Sequence, residues 1–96
     1  MIHGIQINPR HEPAELGIHA LRSMPSTVIS DMLGRTLVAK DILPIHRAPM
    51  SVCGNAFTIK VHIADNLMVH KALQMVRPGD VMVIDAEGDT GCAVIG

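Results

Sequence analysis

The stretch GNAFTIKVHIADNLMVHKALQMVRPGDVMVID, residues 54 to 85, decides the fold. Its first part alternates, with Phe57, Ile59, Val61 and Ile63 apolar and Thr58, Lys60 and His62 polar between them. A period of two is that of a half-buried strand, so residues 54 to 63 read as one. From Asp65 the period lengthens, and Val69, Ala72, Leu73 and Val76 recur at i, i+3, i+4 and i+7. That spacing is one face of a helix over residues 65 to 76, capped by Asp65. Arg77-Pro78-Gly79-Asp80 turns the chain, and VMVID (81 to 85) has no polar residue before Asp85, as expected of a strand buried on both faces. Strand, helix, turn and buried strand form one βαβ unit, which argues for an α/β fold with a right-handed crossover. Phe57, Ile59, Val61, Leu73, Val81 and Val83 are expected among the most buried side chains.

Upstream, MPSTVISDMLGR predicts a helix that Ser26 or Thr27 caps. Val28, Ile29, Met32 and Leu33 supply its apolar stripe, Asp31 falls off that stripe, and Gly34 suits the left-handed position past its end. Pro13 followed by AELGIHALR predicts a shorter helix, with Ala14, Ile18 and Leu21 on one face and Gly17 weakening it. Residues 1 to 11 have no clear period and predict an irregular lead-in or a short strand. Thr36 to Met50, with Pro44 and Pro49, predicts a long surface connection. Downstream, AEGDTG makes a turn and CAVI opens a further apolar run that ends at Gly96, so the chain is expected to be a single, incomplete domain whose natural polypeptide continues.

Hydrophobic residues make up 48% of the 96, yet Phe57 is the one aromatic, so the core must be aliphatic. At this length the buried fraction of the surface is modest. The net charge is −1 and the eight Lys and Arg are scattered, which gives no electrostatic footprint for nucleic acid. No apolar run approaches the roughly 20 residues that span a bilayer, and the N-terminus lacks the pattern of a secretion signal. A cytoplasmic protein is the resulting expectation. Cys53 and Cys92 have no CxxC spacing and read as free, largely buried thiols.

Residue types alone give few candidates for chemistry. The six histidines show neither an i, i+4 pair nor HxH, and among them His62 and His70 are the two that a strand and its following helix can bring together. Glu87-Gly88-Asp89-Thr90-Gly91 lacks the spacing and the lysine of a phosphate loop, so turn chemistry accounts for its glycines. Asp31 and Asp65-Asn66 remain, the first readable as a solvated flank and the second as a cap.

Taken together, TVISDMLGR (27–35), CGNAFTIKV (53–61), DNLMVHKAL (65–73), RPGDVMVIDAEGD (77–89) and CAVIG (92–96) resemble the RraA-like family, in order and spacing. The resemblance covers residues from about 25 onward, and the DN-helix-PGDV-strand block is its most specific part. It implies a swivelling-type β/β/α domain, of which this chain is the N-terminal part, in a homotrimer with active sites between subunits. It also implies a 4-hydroxy-4-methyl-2-oxoglutarate aldolase that decarboxylates oxaloacetate with a divalent metal, Mg²⁺ or Mn²⁺. In family members a Gly-acid-x-Leu loop binds the substrate carboxylate through backbone N–H groups, and only its first residue, Gly96, is present. The Arg-Asp pair that clamps the 2-oxo acid and anchors the metal is expected beyond Gly96. Asp31 matches an acid that reaches into a neighbouring subunit's site, although some members carry the longer Glu there.

Both reactions leave an enolate of pyruvate, and a hard cation chelated by the 2-oxo acid stabilises that charge in either. A water-rich carboxylate site suits Mg²⁺ better than a Cys or His cluster does. Two other functions stay open: a protein-binding inhibitor of a ribonuclease, and a truncated product without activity. The chain alone is expected to be inactive and to expose apolar surface that a missing half would cover.

Overall fold

The computed structural model describes residues 5–63, 65–88 and 91. In chain order its elements are α1 (Glu15–Arg22), α2 (Ser26–Met32), β1 (Asn55–Lys60), α3 (Leu67–Leu73) and β2 (Asp80–Asp85). The βαβ unit is present: β1 and β2 pair in parallel, from Asn55 opposite Asp80 to Lys60 opposite Asp85. The pairing closes one residue past β1, where Val61 N–H donates to the Asp85 carbonyl at 2.9 Å. The chain then turns, with Asp65 N–H on the His62 carbonyl, and the Asp65 carboxylate accepts the Leu67 N–H at 2.9 Å, although the cap position of α3 is Asn66 and not Asp65 as expected.

The turn that brings α3 back to β2 is set by two residues. Asp80 N–H donates to the Arg77 carbonyl, with Pro78 and Gly79 between them and Gly79 at φ +89°. This is the type II arrangement, in which proline presets the second position and glycine alone tolerates the third without strain. Gly54 lies against the same turn, and a Cβ there would overlap the Gly79 carbonyl oxygen. Glycine at position 54 is therefore what lets β1 start beside the turn.

The core is small. Ile59, Val61, Val69 and Ala72 are buried, with Phe57, Met68, Met82, Ile84 and Ala86 packed around them. Phe57, Ile59 and Val61 were expected there and are half-buried or buried. Leu73 and Val83 were expected there too, but they are 50% and 45% exposed. Val83 points to the sheet face opposite Met82 and Ile84, the two β2 residues that pack against the core. Leu73 ends a helix whose main packing is on β1, and its own side chain stays half exposed. The accessible surface of 8456 Å² compares with about 5,400 Å² for a compact folded monomer of this mass. Apolar surface is indeed exposed, most fully along the connection between α2 and β1, where Ile45 is 99% exposed.

α1 starts at Glu15 with Ala14 as its cap, so Pro13 precedes the helix and does not open it. At α2 the capping expectation fails differently. Pro25 is the cap, its carbonyl takes the first helical N–H groups, and Ser26 already lies inside the helix, so no side chain caps it. Cys53 is a free thiol but only half-buried, its Sγ 3.5 Å from the Ile18 carbonyl. Among the described residues no helix is long and apolar enough to cross a membrane.

Candidate functional site

In open parallel sheets, ligands gather outside the carboxyl ends of the strands. The register puts Lys60 and Asp85 side by side at that end. Two residues further on each strand come His62 and Glu87, with His62 Nδ1 3.6 Å from Glu87 Oε1 and both side chains exposed. Glu87 is held in place by its own N–H, which donates to Asp85 Oδ1 at 3.0 Å. Glu87 and Gly88 both have left-handed backbone, at φ +60° and +74°, which turns the carboxylate back over the strand end. At 3.6 Å the pair is an electrostatic contact rather than a hydrogen bond, so the glutamate keeps lone pairs available for another donor.

Asp31 sits near the end of α2. Gly34 at φ +69° lets Gly34 N–H reach the Asp31 carbonyl (3.2 Å) and Arg35 N–H reach the Ser30 carbonyl (2.9 Å). These are the two bonds of a Schellman motif, with glycine where it was expected. The same reversal folds Arg35 back, and its Nε donates to Asp31 Oδ1 at 2.9 Å. Both side chains are exposed, so the Asp31 carboxylate projects from a fixed helix end into solvent.

The opposite end of the sheet holds a different carboxylate. Asp80 accepts from Arg10 Nη1 and Nη2 at 2.8 and 2.6 Å, from Arg77 N–H at 2.8 Å and from Asn55 Nδ2 at 3.4 Å. The Arg10 guanidinium, then the Arg77 N–H, hold the carboxyl well below the usual carboxylate range, with burial opposing them and the Asn55 amide assisting. The same hydrogen bonding raises Arg10 above its ordinary value. Asp80 is 3% and Arg10 16% exposed, which makes this pair a structural fastening and leaves it no capacity for substrate.

Of the residues that sequence singled out, Asp31 is exposed and Asp65 is engaged in starting α3. Gly96, His3 and Cys92 lie outside the described residues. His62 meets Glu87, while His70 is on the exposed side of α3. Among the described residues no three His, Cys, Asp or Glu side chains are grouped to hold a metal ion. Sequence reading missed Glu87 and Arg10. The first lies two residues past a strand end whose partner strand leads to His62, a relation that sequence reading did not follow up; the second had no local signal at all.

Two comparisons with known proteins bear on this arrangement. Residues 26–96 match the model of a family described as RraA-like, Aldolase/RraA. A protein of Halalkalibacterium halodurans named "Putative 4-hydroxy-4-methyl-2-oxoglutarate aldolase" is 44% identical over 80 residues, covering 82% of this chain and 38% of that protein. The chain thus spans well under half the length of the relative it matches. No solved structure matches it.

Proposed function

The chain belongs to the RraA-like family, and on that premise we propose that the protein is a metal-dependent lyase that cleaves 4-hydroxy-4-methyl-2-oxoglutarate-type 2-oxo acids to pyruvate and decarboxylates oxaloacetate. The observation that carries the reading is the extended identity with a relative named as such an aldolase. In the cleavage a base takes the proton of the C4 hydroxyl, the C3–C4 bond breaks, and its electron pair passes to C3 as the enolate of pyruvate. The other fragment leaves as a second 2-oxo acid, and a proton delivered to C3 completes the reaction. A divalent cation, Mg²⁺ or Mn²⁺, supplies charge stabilisation for such an enolate when bound. The described residues do not assemble a site for that cation, and its main ligand is assigned beyond Gly96.

Within this reading Asp31 is the acid that a homotrimer presents to the neighbouring subunit's site. Two features support it: the carboxylate is exposed at a helix end held by the Schellman turn, and its partner Arg35 lies at i+4 in solvent. An exposed pair of that kind is worth only about 0.3–0.5 kcal/mol, so substrate or another subunit displaces it at little cost. The Gly96 N–H is assigned to the substrate carboxylate. Cytoplasmic location and a small 2-oxo acid as the sole partner besides other subunits complete the proposal.

The test is pyruvate release from oxaloacetate in the presence of Mg²⁺. The 96-residue chain alone is expected to give no more than free Mg²⁺ does, whereas the chain joined to a downstream segment that carries the expected Arg-Asp pair is expected to turn over. In that joined protein Asp31→Asn lowers turnover if the acid enters the neighbour's site and changes nothing if it is only a solvated helix residue. Metal-dependent turnover by the short chain overturns the placement of the essential groups downstream, and an inactive joined protein favours the ribonuclease-binding function.

A further inference from the structure

Residues 5–12 precede α1, lie outside the family-matched residues 26–96, and have no regular structure. With β1 and α3 they border a groove of about 1030 Å³ whose lining includes Ile7, Phe57, Ile59, Met68, Met75 and Ile84. Little holds this segment in place. Ile5 and Ile7 line the groove but are 62% and 50% exposed, so apolar burial secures them weakly. Among the described residues no backbone hydrogen bond joins residues 5–12 to either strand. Glu12 approaches Arg77 at 3.8 Å, with both side chains exposed.

The strong attachment is one side chain. Arg10 makes a two-pronged bond to Asp80, seventy positions away, and its guanidinium carbon lies 5.8 Å from the centre of the Phe57 ring. A guanidinium over an aromatic face adds cation–π attraction to the fork. One atom is left over: Arg10 Nε is buried without a hydrogen-bond partner.

We propose that Arg10 is a latch, fastening residues 5–12 over the groove between β1 and α3 through its pair with Asp80 above the Phe57 ring, so that its release exposes the groove's apolar floor. The inference does not depend on the reaction assigned above. Its test is ¹⁵N relaxation of the full polypeptide together with binding of an apolar fluorescent dye. In the wild type the backbone of residues 5–8 is expected to be ordered like the sheet. In Arg10→Gln its order parameters fall below about 0.6 while those of β1, α3 and β2 hold, and dye binding rises. Arg10→Lys, which keeps the charge and loses the fork, falls between the two. Should Arg10→Gln unfold the chain, the lysine variant decides: residues 5–8 must loosen while β1 stays ordered. Equal loosening of segment and strand, no loosening in either variant, or a segment already mobile in the wild type overturns the latch.

Discussion

The two ends of the parallel pair carry similar residue types and treat them in opposite ways. At the leading end, Asp80 accepts four hydrogen bonds and is almost fully enclosed. A carboxylate has about four lone-pair directions, so none is left for a substrate. At the trailing end, Lys60, His62, Asp85 and Glu87 face solvent, and the 3.6 Å approach of His62 to Glu87 is too long for a hydrogen bond. Strand register alone delivers charged groups to both ends. Enclosure and spare bonding capacity decide which end is architecture and which can act.

The sharpest way to break this contrast is to substitute the glycines of the two ends. Gly54→Ala sets a methyl against the Gly79 carbonyl, a backbone atom that cannot swing aside. Its cost is expected at or above the top of the roughly 1–3 kcal/mol range for overpacking, enough to abolish a cooperative urea transition in so small a core. Gly88→Ala at the trailing end meets open space and carries only the left-handed backbone penalty, about 1–2 kcal/mol. Equal midpoints for the two variants would erase the distinction. Phe57→Ala is expected between them, near 2 kcal/mol; the ring is half-buried, and the 3–5 kcal/mol typical of enclosed rings does not apply.

Acid sharpens the comparison further. An ordinary carboxyl titrates near pH 4, and Asp80 is held well below that in the folded chain by Arg10. Its stabilising contribution is therefore complete above about pH 4 and drains away as pH falls toward the folded-state value. Urea midpoints followed from neutral pH downward should decline in the wild type and decline less in Asp80→Asn, which starts lower and has no such carboxylate to protonate. Parallel curves would mean that the leading end is not the acid-sensitive one.

Much of the architecture was legible in the sequence because it rests on local period. Alternation from Phe57 to Val61, the helical stripe through Val69 and Ala72, and the Pro78-Gly79 turn each gave their element within a few residues. Gly34 gave the end of α2 for the same reason. Leu73 and Val83 were misplaced because apolar character says that a side chain seeks cover and is silent on whether a second layer supplies it. The pairing of Arg10 with Asp80 escaped notice since seventy residues separate them, and Asp80 was read only as the end of its turn. At the candidate site Asp31 could be placed off the helix stripe, but its Arg35 partner followed from the turn after the helix, a backbone detail that the stripe does not carry.

The smallest expected effect is the most exacting check. His62 and Glu87 are exposed and 3.6 Å apart, and attraction between them exists only while the imidazole is protonated. A solvent-exposed pair of this sort contributes about 0–1 kcal/mol, so His62→Gln and Glu87→Gln should leave the urea midpoint at neutral pH nearly unmoved. The two substitutions should also add almost independently, because a pair with so little coupling leaves little to lose twice. Glu87 does one thing besides: its N–H caps Asp85, and that bond is backbone and survives the change to glutamine. A loss of stability in Glu87→Gln as large as that in Asp80→Asn would show a trailing end as tightly built as the leading one. The division of the sheet into a fastened end and an available end would then fail.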